Sequence, residues 1–202
     1  MNLKSKHILI IGSGSVALRK LKGLIYKAKQ IIVITKSQDE NFKDFVINNQ
    51  SNIDNRLKIL EESFEIDKHK EYILDSNLLF ICTDNTTLNA EIELYAKNNK
   101  IWNLRCDDAR NSDFINPITI QSKELLISIS SSGISPAYSK HIKAEIEKLI
   151  QNIDTDKLKI IEQARKIIKN NDIFSVDKTV LLEKLPDMSK EELERIIKEE
   201  SL

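Results

Sequence analysis

The sequence predicts an α/β fold: a doubly wound parallel sheet, followed by a β-hairpin and a helical C-terminal region. Three observations carry that expectation. Short, continuously apolar runs recur at Ile8 to Ile11, Ile31 to Ile34 and Leu78 to Ile81, as in parallel strands covered on both faces. Segments with helical spacing separate them, so strand and helix alternate through about residue 113. Beyond that point two β-runs adjoin directly, and the rest of the chain carries apolar residues at helical intervals.

The first element is the most informative. The run His7 to Ile11 leads into Gly12-Ser13-Gly14-Ser15-Val16-Ala17-Leu18-Arg19-Lys20. Gly12 permits a tight turn out of the strand, Gly14 lets the backbone approach a pyrophosphate, and Ala17 keeps the new helix close to the sheet. Backbone N–H groups at that helix N-terminus face phosphates with the favourable end of the helix dipole. Gly12, Ser13, Gly14, Ser15, Val16 and Ala17 are therefore the candidate dinucleotide-binding residues, in a Rossmann-type βαβ unit completed by Val16, Leu21, Leu24, Ile25 and the strand Ile31 to Ile34. The plainer reading is that the glycines serve only a strand–helix turn. The second strand ends Ile34-Thr35-Lys36-Ser37, without the acidic residue that binds a ribose 2′-hydroxyl in many NAD sites. Thr35 or Ser37 is a candidate for the ribose and Lys36 for a 2′-phosphate, which leaves NAD and NADP both open.

A polar helical stretch, Asp39 to Asn48, and a short strand, Leu57 to Leu60, come next. The strand from Leu78 ends in Thr83 and Asp84, placing both at the crevice outside the carboxyl ends of the strands. Thr86 to Asn98 reads as a helix with Leu88, Ile92, Tyr95 and Ala96 on one face. Ile101 to Leu104 is a further strand, and its exit, Arg105-Cys106-Asp107-Asp108, returns to the crevice. Phe114 to Gln121 and Glu124 to Ser130 are joined by Ser122-Lys123 as a hairpin. Its open edges predict a homodimer. Ser135 is a helix N-cap with Pro136 at the first helical position. Almost everything from Ala137 to Ser201 is helical, with Ser189 and Glu192 as a capping box. The expected domains are 1–113, dinucleotide-binding; 114–145, hairpin and helix for dimerisation and substrate; and 146–202, helical.

The chain has 202 residues, with 31 Lys and Arg balanced by 31 Asp and Glu. That balance gives no global field for nucleic acid. The start runs straight into a strand without an apolar leader, and no run of about eighteen apolar residues offers a membrane span. The expectation is a soluble cytoplasmic protein. Cys82 and Cys106 are distant in sequence and form no CxxC, which predicts buried free thiols and neither a zinc site nor a redox motif.

Four blocks in fixed order resemble the precorrin-2 dehydrogenase family, the small NAD-dependent enzymes of siroheme synthesis. They are the glycine turn through Arg19-Lys20, Cys82-Thr83-Asp84-Asn85-Thr86-Thr87-Leu88-Asn89, Asn103 through Asp107-Asp108 to Asp113-Phe114-Ile115-Asn116-Pro117, and Ser130-Ser131-Ser132-Gly133-Ile134-Ser135-Pro136-Ala137. The resemblance covers about residues 3 to 150. It implies oxidation of precorrin-2 to sirohydrochlorin with reduction of NAD, in a homodimer. Some members also insert ferrous iron, so iron is a further candidate substrate. The family's activity-linked aspartate falls at Asp107, or at Asp108 because the spacing to Phe114 is one residue longer than common. Ser132 stands where many members have a second glycine.

Bottom-up chemistry runs parallel to that resemblance. Dehydrogenating a reduced tetrapyrrole removes a hydride and a proton, so the site needs a nicotinamide face and a proton acceptor. A carboxylate at a strand's carboxyl end can serve; its plainer reading is a solvated turn. A polycarboxylate substrate needs cationic or N–H donors. Arg105, Ser131, Gly133, Ser135 and His141 are the candidate substrate-binding residues, with Arg110, Lys123, Lys140 and Lys143 as further cations. The rival functional class is a nucleotide-sensing module that binds NAD(H) without chemistry; Asp107 and the Gly133-x-Ser135-Pro136 block are what sensing alone does not require.

Overall fold

The structure, a computed structural model, describes residues 2–53, 55–108, 110, 112–132, 134–151, 153–170 and 177–198. The chain divides into two compact units, Met1–Asn116 and Pro117–Leu202.

The first unit alternates strand and helix: β1 (His7–Ile11), α1 (Ser15–Leu24), β2 (Gln30–Thr35), α2 (Glu40–Ile53), β3 (Leu57–Glu61), α3 (Ile66–Leu74), β4 (Leu78–Ile81), α4 (Thr86–Asn98) and β5 (Trp102–Arg105). The five strands form one parallel sheet in the order β3-β2-β1-β4-β5. The order reverses between β1 and β4, so a crevice opens outside their carboxyl ends, the usual ligand site of such sheets.

Strand periodicity explains the two cores. Ile8 and Ile10 of β1, with Leu78 and Phe80 of β4, join Ala17, Leu21 and Phe42 from α1 and α2. Leu9 and Ile11, with Leu79 and Ile81, join Ile73, Ile92 and Ala96 from α3 and α4. Each strand thus buries alternate residues on opposite faces, and every fully buried Ile, Leu or Phe contributes about 1.5–3 kcal/mol of apolar transfer.

The structure departs from the sequence reading at four places, three of them along the chain to Pro117 and the fourth in the hairpin turn. Helix α3 was not foreseen, α2 runs on to Ile53, and Phe114 to Pro117 lies outside any strand. In the second unit β6 (Ile118–Ser122) and β7 (Leu125–Ile129) pair antiparallel with Ser122 opposite Leu125. The connecting turn is therefore Lys123-Glu124 rather than Ser122-Lys123, and Lys123 takes a left-handed φ of 49°.

Helix α5 (Pro136–Ile150) starts as its sequence predicts, with the Ser135 hydroxyl accepting from the Tyr138 N–H at 3.2 Å. The helices α6 (Lys157–Asn170), α7 (Lys178–Lys184) and α8 (Lys190–Lys198) surround a small core of Ala164, Ile168, Leu185 and Leu193. Both bonds of the capping box form: Glu192 N–H to Ser189 Oγ at 3.2 Å, and Ser189 N–H to Glu192 Oε2 at 2.7 Å. Among the described residues no helix is long and apolar enough to cross a membrane.

Candidate dinucleotide site at the carboxyl edge

The turn after β1 is fixed by its own backbone. Gly12 has φ of 106° and donates its N–H to the Ile34 carbonyl at 2.8 Å. A Cβ there would lie 2.6 Å from the Cys82 carbonyl oxygen, so only glycine fits. Gly14 is different. It is the N-cap of α1 with extended backbone, and a Cβ on it would meet no protein atom within 4 Å. Nothing in the protein asks for glycine there, whereas a phosphate approaching the helix end does. The N-cap supplies no side-chain hydrogen bond and no acidic residue occupies the first turn of α1. The first-turn N–H groups of Ser15, Val16 and Ala17 therefore have the orphan donors that an anion satisfies.

Ser13 and Thr35 are drawn inward. The buried Ser13 hydroxyl donates to the Ser37 carbonyl at 2.8 Å and accepts from the Asp39 N–H at 3.2 Å. Thr35 Oγ1 lies 3.0 Å from Ser13 Oγ and 2.8 Å from the Ser37 carbonyl. These bonds tie the glycine turn to the end of β2, so the Thr35 hydroxyl is engaged within the protein, while Lys36 is exposed beside it.

Across the switch point, Thr83 shapes the turn between β4 and α4. Its hydroxyl bonds Asn89 Oδ1 and accepts from the Asn85 N–H at 3.2 Å, while Asn89 Nδ2 donates to the Thr83 carbonyl at 3.0 Å. Asn85 caps α4 by accepting from the Leu88 N–H at 3.1 Å. Asp84 is exposed on this turn.

At the end of β5 the sequence expects an acid and a cation with separate roles, and the structure joins them. Arg105 donates to Asp107 from Nε at 3.0 Å and from Nη2 at 2.9 Å, and reaches Glu93 Oε2 at 3.3 Å. The Arg105 bonds, reinforced by Asn89, hold the Asp107 carboxyl below its ordinary range. The same pairing raises the Arg105 guanidinium. Asp108 turns to Arg110, which holds it down to about 2. The loop bearing both acids is pinned at its far end: Asp113 accepts from the Asn103 N–H at 2.9 Å and from its Nδ2 at 2.6 Å.

Asn89, Glu93 and the Asn103–Asp113 latch went unassigned in the sequence reading. The signal for Asn89 was its place closing the Thr83-Asp84 block, and Glu93 lies one helical turn further on the same face. Both cysteines are free, as expected, but they are half-buried rather than buried and not apart: Cys82 and Cys106 follow adjacent strands with their Sγ atoms 3.1 Å from one another. Parallel pairing of β4 with β5 brings together two residues 24 positions apart in the chain.

In the second unit, Ser131 accepts from the Ser135 N–H at 3.1 Å and its hydroxyl donates to the Ser135 carbonyl at 3.1 Å, while Ser139 donates to Ser131 Oγ at 3.0 Å. His141 is exposed, with its ring 6.3 Å from that of Tyr138. Gly133 lies outside the described residues.

Taken together, the switch point, the glycine turn and the open helix end define a nucleotide-binding Rossmann unit. A family model for NAD(P)-binding domains matches residues 1–118, and the chain belongs to that family. Its cofactor class is a nicotinamide dinucleotide. The chain is 31% identical over 150 residues to a siroheme synthase of Ruthia magnifica subsp. Calyptogena magnifica, covering 74% of this chain and 30% of that protein. It is 28% identical over 150 residues to the precorrin-2 dehydrogenase of Bacillus subtilis (strain 168), covering 74% of this chain and 86% of that one. The chain thus spans about a third of the siroheme synthase and most of the Bacillus protein. The solved structure of SirC, a precorrin-2 dehydrogenase, shares the fold with a TM-score of 0.70 at 19% identity, over 98% of this chain and 97% of that one.

Proposed function

We propose that this protein oxidises precorrin-2 to sirohydrochlorin with NAD as hydride acceptor, in siroheme synthesis in the cytoplasm. The observation that carries the reading is the glycine turn with an uncapped helix end at the β1/β4 switch point, with the carboxylate-bearing loop at the exit of β5, two strands over, on the same carboxyl edge of the sheet. When bound, the nicotinamide ring takes a hydride from the substrate. Gly12, Gly14 and the first-turn N–H groups hold the diphosphate, and Lys36 stands exposed at the end of β2 for the ribose end.

Asp107 is the proposed proton acceptor. Alone beside Arg105 it is a weak base, because the guanidinium stabilises its ionised form. A substrate rich in carboxylates competes for Arg105, and each bond it takes restores basicity to Asp107. The substrate's own charge therefore primes the acceptor. Ser131, Gly133, Ser135 and His141 are carried as proposed substrate-binding residues by the resemblance of their sequence block alone. Ferrous iron as a second substrate belongs to the same reading, because siroheme synthases are among the relatives.

A homodimer is part of the proposal. Leu126 on β7, Ile134 and Tyr138 are apolar and exposed at 59%, 87% and 61%, and among the described residues the outer edges of the hairpin pair with no further strand. Light scattering at micromolar concentration should give twice the chain mass, and a monomer would remove this part.

The activity is tested by incubating the protein with precorrin-2 and NAD. Sirohydrochlorin and NADH should appear together in equal amounts by absorbance. Nucleotide binding without either product would instead support the sensing module.

A further inference from the structure

Cys82 and Cys106 sit one residue beyond β4 and β5, on the rung that follows the Ile81–Arg105 pair. The Cys106 N–H still donates to the Ile81 carbonyl at 2.9 Å, so the two backbones keep sheet spacing there. Adjacent strands lie about 4.8 Å apart, within the roughly 4.4–6.8 Å between Cα atoms that a disulfide needs. The Sγ atoms already stand 3.1 Å apart, and both residues are half-buried, open to a small reagent.

Their surroundings favour thiol chemistry. Lys20 of α1 is 7% exposed, with its ammonium 5.6 Å from the centre of the Phe80 ring. Among the described residues no carboxylate pairs with it. A buried cation without a counter-charge is costly, and the acidic groups whose charge it feels are the two thiols. The hydrogen bond shared with Cys82, then the charges of Lys20 and Arg19, hold Cys106 below the ordinary thiol range. The same bond and burial push Cys82 up. Cys106 is thus the nucleophile and Cys82 the resolving thiol.

We propose that Cys82 and Cys106 form a reversible disulfide at the floor of the nucleotide crevice, and that closing it weakens dinucleotide binding. The second half rests on the glycine turn being the dinucleotide cradle. The link is steric: the Cys82 carbonyl abuts Gly12 so closely that a Cβ would lie 2.6 Å from it. Drawing Cys82 toward Cys106 therefore shifts the wall on which the turn rests.

With hydrogen peroxide as oxidant, the Cys106 thiolate attacks one peroxide oxygen. The O–O bond breaks, giving a sulfenic acid and hydroxide, which is protonated to water. Cys82 sulfur then attacks the sulfenic sulfur; the S–O bond breaks, and hydroxide leaves with the Cys82 proton as a second water. Two electrons pass from the sulfurs to the peroxide, and a dithiol reductant reverses the change by exchange.

The test uses the full chain treated with hydrogen peroxide and then with a thiol-blocking reagent. The two thiols should fall to none, with a loss of two hydrogens in the intact mass, no linked dimer on a non-reducing gel, and recovery with dithiothreitol. Calorimetric NAD affinity should weaken roughly tenfold on oxidation, a usual size for coupling between sites, and return on reduction. Cys106→Ser should bind NAD as the untreated protein does and ignore peroxide. Two free thiols after treatment, over-oxidised cysteine or intermolecular disulfides would overturn the pair. A disulfide that forms without altering NAD affinity would overturn the coupling. If the reduced protein binds no NAD, the cradle reading fails, while the thiol count still decides the disulfide.

Discussion

Arg105 and Asp107, two residues apart at the exit of β5, face each other in a two-bond fork, Nε to Oδ1 at 3.0 Å and Nη2 to Oδ2 at 2.9 Å. The fork is partly open to solvent, with the Asp107 side chain 25% exposed, so solvent screening keeps its contribution to stability modest. Its effect is on chemistry: it fixes where the carboxylate points and lowers its basicity. The ionised form of Asp107 persists to lower pH than an ordinary aspartate because Arg105 stabilises it. Removing the guanidinium raises that pKa, so protonation begins at higher pH. In Arg105→Ala the acid limb of kcat/KM, which reports free-enzyme groups, should move upward toward the ordinary carboxylate value. An acid limb that stays in place would separate Asp107 from the proton transfer. KM for precorrin-2 should rise as well, since a cation for the substrate is lost.

Asp107 and Asp108 separate cleanly by partner. Asp107→Ala should lower dehydrogenase turnover by roughly a hundredfold or more, the usual scale for a positioned proton acceptor. Asp107→Asn should be nearly as slow, and NAD affinity should hold in both. Asp108 is bound to Arg110, itself an exposed side chain, so Asp108→Ala should keep most activity. Single-turnover rates decide the assignment, and the reverse ranking would move the acceptor to Asp108.

The two glycines of the turn predict opposite kinds of failure. Gly14→Asp should fold normally, because the space beside it is open, yet lose NAD binding through charge repulsion and occupation of the phosphate space. Gly12→Ala should lose stability by roughly 2 kcal/mol or more, since it combines a left-handed φ with backbone overlap. Chemical denaturation and calorimetry on both variants distinguish ligand space from backbone constraint. A Gly14→Asp protein that binds NAD unchanged would sink the cradle assignment.

What the sequence revealed follows from how local each signal is. The β1–α1 turn, the Asn98 end of α4, the Ser135 cap and the Ser189–Glu192 box are written in consecutive residues, and all stand where those residues place them. Helix α3 was hidden because nine residues, Ile66–Leu74, bury only His69 and Ile73 among charged neighbours. The hairpin turn was off by one because Lys123 adopts a left-handed φ without a glycine or asparagine to announce it. The site's groupings were least legible. Cys82 with Cys106 depends on strand register, and Arg105 with Asp107 on a side-chain choice between several anions, neither of which any single segment records.

The C-terminal end of α4 offers a prediction independent of function. Lys100 has φ of 59°, while its N–H donates to the Lys97 carbonyl at 3.0 Å and the next N–H, of Ile101, donates to the Ala96 carbonyl at 2.9 Å. That pair of bonds is a Schellman close, whose left-handed residue is usually glycine. A non-glycine residue there costs about 1–2 kcal/mol, and glycine costs about 0.5–1 kcal/mol in lost chain freedom. Lys100 is exposed, and among the described residues its side chain has no hydrogen bond or ion pair to lose. Lys100→Gly should therefore gain roughly 0.5–1 kcal/mol, seen as a higher urea midpoint at an unchanged m-value. Lys100→Ala keeps the Cβ and should gain nothing. Equal stability in all three proteins would mean that the left-handed conformation carries no strain at this position.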